Sequence, residues 1–320
     1  MILRSDNGRI VTVGLSPAWD VVCRGRGLEW GRHQNIDEQV VRPAGKAMNV
    51  SCALAWMGVR SIAAGLWGRE DYGEMETTVA RLGGRIIEAQ MTAVEGRTRR
   101  NVTVVDTLHH REMHLRAAAD LASADSLQKL TLSLSGLVHL GDTCVFAGAM
   151  PAGELLAPTV DLLGACRRSG ASIAVDTYGP VLKAIVNAGL AWLIAPNVEE
   201  LRELLGSQVE DTPGPLLDAG RTLLDSTEIA LISRGEQGAL LVTKGGAWAG
   251  GSTVRRETPS TVGCGDYLLA GFLAGFDETG DPQAALAWGL KAAAARAWAW
   301  TETRTWAQVE KEVAVAVEPV

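Results

Sequence analysis

The 320-residue sequence lacks any apolar stretch of the ~18 residues that a membrane span needs, and its richest late stretch is broken by Lys291 and Arg296. It also lacks an excess of positive charge. Thirty Lys and Arg against 37 Asp and Glu leave a net charge of −7, which argues against a nucleic-acid partner, since phosphate backbones select a basic face. Lysine is scarce: 24 of the 30 cations are arginine and six are lysine, so a lysine inside a motif stands out. Cysteine is sparse and scattered, at Cys23, Cys52, Cys144, Cys166 and Cys264, with no C-x-x-C pair. That is the usage of a reducing cytoplasm, not of a disulfide framework. Arg4, Asp6 and Arg9 stand where a signal peptide would carry apolar residues. The absences together predict a cytoplasmic protein with no nucleic-acid or membrane partner.

What remains is ordinary globular composition, 47% hydrophobic and 21% charged, in a chain long enough to bury a core without disulfide or metal. Short unbroken apolar runs at 10–15, 61–66, 144–147, 172–175, 191–195, 229–233 and 239–242 suit strands covered on both faces. Helical patterns lie between them at 48–57, 71–82, 153–168, 198–205, 216–225, 266–276 and 282–300. This alternation predicts an α/β fold, a doubly wound, mostly parallel sheet flanked by helices. Two polar, arginine-rich segments at about 18–42 and 97–116 break the rhythm and carry alternating patterns such as Asn101-Val102-Thr103-Val104-Val105. They read as antiparallel strands forming a small β lid, inserted in one domain that spans 1–320. No repeat, low-complexity tract or long linker interrupts it.

The chemistry concentrates in two glycine turns that open helices. Thr261-Val262-Gly263-Cys264-Gly265-Asp266 precedes a small-residue helix. Such a turn aims successive N–H groups at one point, and the helix terminus adds partial positive charge, which suits a phosphate. Asp266 falls in the first turn, where the same dipole favours its ionised form. A carboxylate repels a bound anion but makes sense as a base taking a proton from a hydroxyl that attacks phosphorus; it could equally cap the helix. Pro43-Ala44-Gly45-Lys46-Ala47-Met48-Asn49 is the second turn, where ammonium and amide would suit a polyhydroxy or phosphorylated ligand, or where a solvated lysine follows a glycine turn. Gly45-Lys46 is no Walker A loop, because Ala47 follows it and Val40 stands where the first glycine belongs. Gly25-x-Gly27 has its next glycine at Gly31, one residue late for a dinucleotide fingerprint. No H-R-D or D-F-G set marks a protein kinase.

In this context T-V-G-C-G-D resembles the D-T-x-G-A-G-D signature of the ribokinase-like (PfkB) carbohydrate kinases. Four further stretches resemble the family's motifs in order: Leu15-Ser16-Pro17-Ala18-Trp19-Asp20, P-A-G-K-A-M-N, Pro196-Asn197-Val198-Glu199-Glu200, and Ser233-Arg234-Gly235-Glu236-Gln237-Gly238. Five ordered motifs over roughly 10–300 are far more specific than any one of them. The resemblance implies an ATP-dependent kinase with Asp266 as base and the N–H groups of Gly263, Cys264 and Gly265 as the anion hole. Asp20, Gly45, Lys46 and Asn49 would hold the sugar, and Asn197 and Glu200 would support Mg²⁺ through water. Ser233, Gly235, Gly238 and Thr261 would line the nucleotide site.

Gly96-Arg97-Thr98-Arg99-Arg100-Asn101 resembles the T-R-x-N lid segment of the 1-phosphofructokinase and tagatose-6-phosphate kinase branch. There Arg99, with Asn101 beside it, would meet a phosphate already on a ketohexose acceptor. A kinase of a free sugar or nucleoside, and a non-catalytic sugar-phosphate sensor, are the alternatives. The sensor is motivated by departures from the pattern: Ala44 and Ala47 for glycines, Ala195 for a lysine, and Ala147-Gly148-Ala149 for S-G-S. Cys264 replaces an alanine, and a thiol at a helix N-terminus could be reactive. His110, Glu112 and His114 alternate as on one strand face but lack metal-motif order, so they read as a polar lid strand that could meet a second copy. Trp288, Trp298 and Trp300 read as core or interface anchors.

Overall fold

The computed structural model describes residues 8–320; Arg4 and Asp6 lie outside the described residues. The chain opens with β1 (Ile10–Gly14), β2 (Ala18–Gly25), β3 (Glu38–Ala44), α1 (Lys46–Trp56) and β4 (Ser61–Gly68). After α2 (Tyr72–Gly83) come β5 (Ile87–Val94), β6 (Arg100–Asp106) and β7 (Arg111–Leu115). The middle runs through α3 (Ala124–Leu137), β8 (Thr143–Ala147), α4 (Leu156–Arg168), β9 (Ser172–Asp176), α5 (Gly179–Asn187), β10 (Leu193–Ile194), α6 (Val198–Leu205) and α7 (Pro213–Leu223). It ends with β11 (Ile229–Ser233), β12 (Ala239–Thr243), β13 (Gly246–Ser252), α8 (Cys264–Thr279), α9 (Pro282–Ala297), α10 (Trp306–Glu312) and β14 (Val315–Pro319).

Ten strands form one sheet in the order β14-β13-β12-β11-β10-β9-β8-β1-β4-β5. The run from β5 to β11 is parallel, and β12, β13 and β14 extend it antiparallel. Helices cover both faces, which is why strands such as β4 and β8 are buried along their whole length and read as unbroken apolar runs. Val11, Val13, Phe146 and Ile173 pack with leucines of α3, α4, α6 and α7 on one face. Ile10, Val145 and Leu231 pack with α1, α8, α9 and α10 on the other. The α/β expectation therefore holds.

The second sheet has the order β3-β2-β6-β7. Its strands come from the two polar segments, but its centre differs from the antiparallel expectation: β2 and β6 run parallel, with Asp20 beside Asn101, and only the outer pairs are antiparallel. The reason is topological, since β2 and β6 are joined through the main sheet rather than by a hairpin. Buried Asp71 ties this sheet to the main body by accepting from Trp19 Nε1 and from the Thr98 amide (2.9 Å).

The helical pattern at 282–300 overshoots: α9 stops at Ala297, Ala299 turns left-handed (φ 55°), and Trp300 begins a short 3-10 turn. Trp288 packs on Trp306, while Trp298 and Trp300 pair edge to face under Arg256. His110 does not share a strand face with Glu112 and His114; it occupies the β6–β7 turn at φ 51°. Six elements carried no sequence expectation: α3, α5, α10, β5, β13 and β14.

Candidate active site

The parallel strands end on one side of the main sheet, where their carboxyl ends, the N-termini of α1 and α8, and the small sheet enclose a cleft of about 1010 Å³. An open α/β sheet places ligands at this position. Asp20, Gly45, Lys46, Asn49, Arg99, Asn101, Asn197, Glu200, Ser233, Gly263, Gly265 and Asp266 all line it. Gly235, Gly238, Thr261 and Cys264 do not. Gly235 and Gly238 instead close the turn after β11, where the Arg234 amide donates to the Gly238 carbonyl (2.8 Å). A Cβ on Gly238 (φ 86°) would overlap the Gly250 carbonyl, so this glycine is demanded by the approach of β13.

Asp266 sits at the base of the cleft on the first turn of α8, 3% exposed. Gly263 caps this helix in the left-handed conformation (φ 83°), which swings the chain so that Gly263, Gly265 and Asp266 face one space. The Asn49 amide donates to Asp266 Oδ2 at 2.7 Å, joining the two glycine turns that the sequence singles out. The dipole alone would favour an ionised carboxylate, but burial outweighs it. Burial first, and the charge of Asp176 second, push the Asp266 carboxyl up to about 7 against the pull of Asn49, Lys46 and Arg296. The group is thus poised to accept a proton near neutrality.

Lys46 Nζ reaches Asp176 Oδ1 at 2.8 Å. Burial draws this ammonium down, but Asp176, with Asp266 and Glu200 beyond it, more than restores the charge and holds Lys46 above the usual lysine value. Asp176 was not foreseen from the sequence. The available signal was an apolar strand run ending on a carboxylate at the carboxyl end of a parallel strand. Arg296 was also missed; its Nε lies 3.4 Å from where a Gly263 Cβ would stand, at the mouth of the anion turn.

Asn197 and Glu200 form a capping box on α6: the Glu200 amide donates to Asn197 Oδ1 and the Asn197 amide donates to Glu200 Oε2, both at 2.9 Å. The N-x-x-E spacing therefore has a structural cause as well as a place in the cleft. Burial pushes the Glu200 carboxyl up, while the cap bond and Lys46 draw it back. An isolated parallel bridge joins Asn197 to Ser233, setting α6 and the end of β11 side by side.

On the small-sheet side, Asn101 Nδ2 lies 3.4 Å from Asp20 Oδ1, and Asn101 Oδ1 is buried without a partner among the described residues. Arg99 is not a free cation. It donates to the carbonyls of Pro17 (3.2 Å), Ala117 (3.0 Å) and Ser16 (3.3 Å). Cys264 does not match a reactive thiol either: burial, with Asp266 nearby, holds it above the ordinary value despite Arg296, and its amide donates to the Thr261 carbonyl (3.3 Å) within the turn.

A buried, raised carboxylate beside a glycine-rich helix terminus, with cations around it in an α/β cleft, has the parts of a phosphoryl-transfer site. The model of the pfkB family carbohydrate kinases matches residues 8–297, so the chain belongs to that family and is an ATP-dependent carbohydrate kinase. It is 26% identical over 279 residues to 1-phosphofructokinase of Haemophilus influenzae, with 84% of each chain covered. It is 30% identical over 269 residues to 1-phosphofructokinase of Rhodobacter capsulatus, with 83% of each covered. Among solved structures it is similar to phosphofructokinase-2 from Escherichia coli in its tetrameric inhibited form, with TM-score 0.85, 21% identity, and 95% of this chain and 100% of that chain covered. The same enzyme in complex with fructose-6-phosphate gives TM-score 0.83 at 20% identity and the same coverage. These structural likenesses show the ribokinase-like fold.

Proposed function

We propose that this kinase transfers the γ-phosphoryl group of Mg·ATP to a hydroxyl of a ketohexose phosphate, with Asp266 as general base. The single observation that carries the reading is the Asp266 carboxyl, buried, raised to about 7 and held by Asn49 at the glycine turn of α8. Asp266 takes the proton of the attacking hydroxyl as the oxygen bonds to phosphorus and ADP leaves. Gly263 and Gly265 face the transferred group, whereas the Cys264 amide, expected as a third donor, is engaged with the Thr261 carbonyl inside the turn. Asp20, Gly45, Lys46, Asn49 and Asn101 hold the sugar, with Asp176 fixing the Lys46 ammonium among them. Ser233 borders the nucleotide, with the Gly235–Gly238 turn and Thr261 behind the wall.

The Glu200 carboxylate, held in the cleft by its cap bond, with Asn197 and Asp176 in the same wall, offers the hard oxygen donors that would hold Mg²⁺ brought with ATP. The ion would neutralise phosphate charge there. The phosphorylated acceptor is supported by the 1-phosphofructokinase relatives and by the guanidinium groups on the cleft wall. The three carbonyl bonds of Arg99 favour the competing free-sugar reading. We read the small sheet as the lid of a single unit, with its edge strands β3 and β7 as the contact for a homodimer, and the five unbridged cysteines as those of a cytoplasmic protein.

The test is ADP release from Mg·ATP with fructose 1-phosphate, fructose 6-phosphate, tagatose 6-phosphate, fructose and ribose, beside Asp266→Asn. Turnover on a phosphate ester that the variant loses supports the reading. Turnover on free sugars alone replaces it with the free-sugar kinase. Ligand binding without turnover, equal in both proteins, replaces it with a sensor.

A further inference from the structure

Four guanidinium groups of the small-sheet side line the cleft: Arg24, Arg42, Arg99 and Arg116. Arg24 is paired with Glu38 at 2.9 Å. Arg99 has committed three of the five N–H donors of its fork to carbonyls, linking the Ser16–Pro17 turn after β1 to Ala117, just past β7. Holding the Ala117 carbonyl fixes the backbone beside Arg116, whose side chain is exposed in the same cleft and enters no ion pair among the described residues. Arg42 is also unpaired, but it stands opposite Asp20 across β2 and β3, and its charge is felt at Cys52 and Tyr267, on the α1 and α8 side.

We propose that Arg116 reads the phosphate ester of the acceptor and that Arg99 is a positioning residue that sets Arg116 in place. This deepens the phosphosugar reading above and rests on it. The physical reason is charge. Two guanidinium groups brought together by one backbone clamp repel each other, and a phosphate dianion at Arg116 offsets that repulsion through charge-assisted hydrogen bonds. Arg99 already registers the repulsion: burial first and Arg116 second hold it below the usual arginine value. Arg116 brings a complete set of donors, so it makes the bidentate contact while Arg99 stays on its three carbonyls.

The experiment compares kcat/KM for fructose 1-phosphate, fructose 6-phosphate and fructose in the parent enzyme, Arg116→Gln, Arg116→Lys, Arg99→Lys and Arg42→Gln. The parent is expected to favour one ester over fructose. Arg116→Gln should cut that ester-to-fructose ratio about 10- to 100-fold, through KM for the ester, because a charged hydrogen-bond partner is lost. Arg116→Lys should restore part of the ratio, as a point charge without the fork. Arg99→Lys should lower both the ratio and the melting temperature, because it also breaks the clamp. A parent with no preference for an ester would overturn the phosphosugar reading itself, before any variant is consulted. A parent that prefers the ester while Arg116→Gln keeps the ratio within about twofold would overturn this inference alone. So would a collapse of the ratio in Arg42→Gln with Arg116→Gln unaffected.

Discussion

The two walls of the cleft are built on opposite principles. On the main-sheet side, Asp266 and Asp176 sit at the ends of elements whose apolar residues are buried in the cores on the two faces of the main sheet. On the small-sheet side, β3 and β7 are largely exposed, and the polar groups hold one another: Arg24 with Glu38, Asn101 with Asp20, and His114 with Glu112 (3.2 Å). The buried wall can hold a carboxylate away from water and raise its proton affinity, because the surrounding core does not relax to solvate it. The exposed wall cannot do this, because its side chains lie in contact with solvent. On the proposed reading, reaction chemistry lies on the wall with a core behind it, and acceptor choice on the wall without one.

The largest effect should come from the base. Asp266→Asn should lower kcat by about 10²–10⁴-fold with the fold retained, checked by single-turnover kinetics and circular dichroism. If the parent and the variant turn over equally, the division of labour between the walls collapses. Next comes the glycine behind the nucleotide wall. Gly238→Ala forces a Cβ onto the Gly250 carbonyl at a left-handed position and should destabilise by about 1–3 kcal/mol or more, read by denaturant titration.

The raised Asp266 carboxyl gives a pH signature of defined sign. A base must be ionised, so kcat/KM should be lost as pH falls through about 7 and regained above it. Stability should run the other way. The folded carboxyl keeps its proton above the ordinary aspartate range, so the native state loses stability as pH rises from that range towards about 7. Asp266→Asn should remove this slope, and thermal melts at pH 5 and pH 8 would show the two proteins diverging. The smallest effect belongs to the other wall. Burial alone would raise the Asp106 carboxyl, but His109 and the amides of Gly27, Leu108 and His109 hold it well below the carboxylate range, joining the β6–β7 turn to the loop after β2. Asp106→Asn should speed hydrogen exchange at Gly27 and Leu108 while leaving the melting temperature nearly unchanged. A large loss of global stability there would show that the small sheet carries part of the core's burden.

Both glycine turns and the parallel strands were legible in the chain, because each rests on residues close in sequence or on burial from both faces, whereas the Asn197 to Glu200 cap was read only as support for a metal. Other features were hidden for identifiable reasons. In α3 the stretch Leu130-Thr131-Leu132-Ser133-Leu134 carries the period of a strand, yet it is a helix, started by the Ser123–Ser126 capping box and held by Leu127, Leu130 and Leu134 against the sheet. β5 mixes exposed and half-buried positions at the sheet edge and lacks the unbroken apolar run of β4. Asp176 lies 130 residues from Lys46, and nothing local marks the pair.

Short patterns in the chain marked the two glycine turns and the class of sheet that presents them, since glycine turns and two-sided burial are local features. Only the tertiary structure decided that Asn49 and Asp266, 217 residues apart, share a hydrogen bond, that Arg99 faces carbonyls, and that Asp266 titrates near neutrality. Proton affinity and side-chain commitment depend on burial and on distant charges, and those exist only once the chain has closed around them.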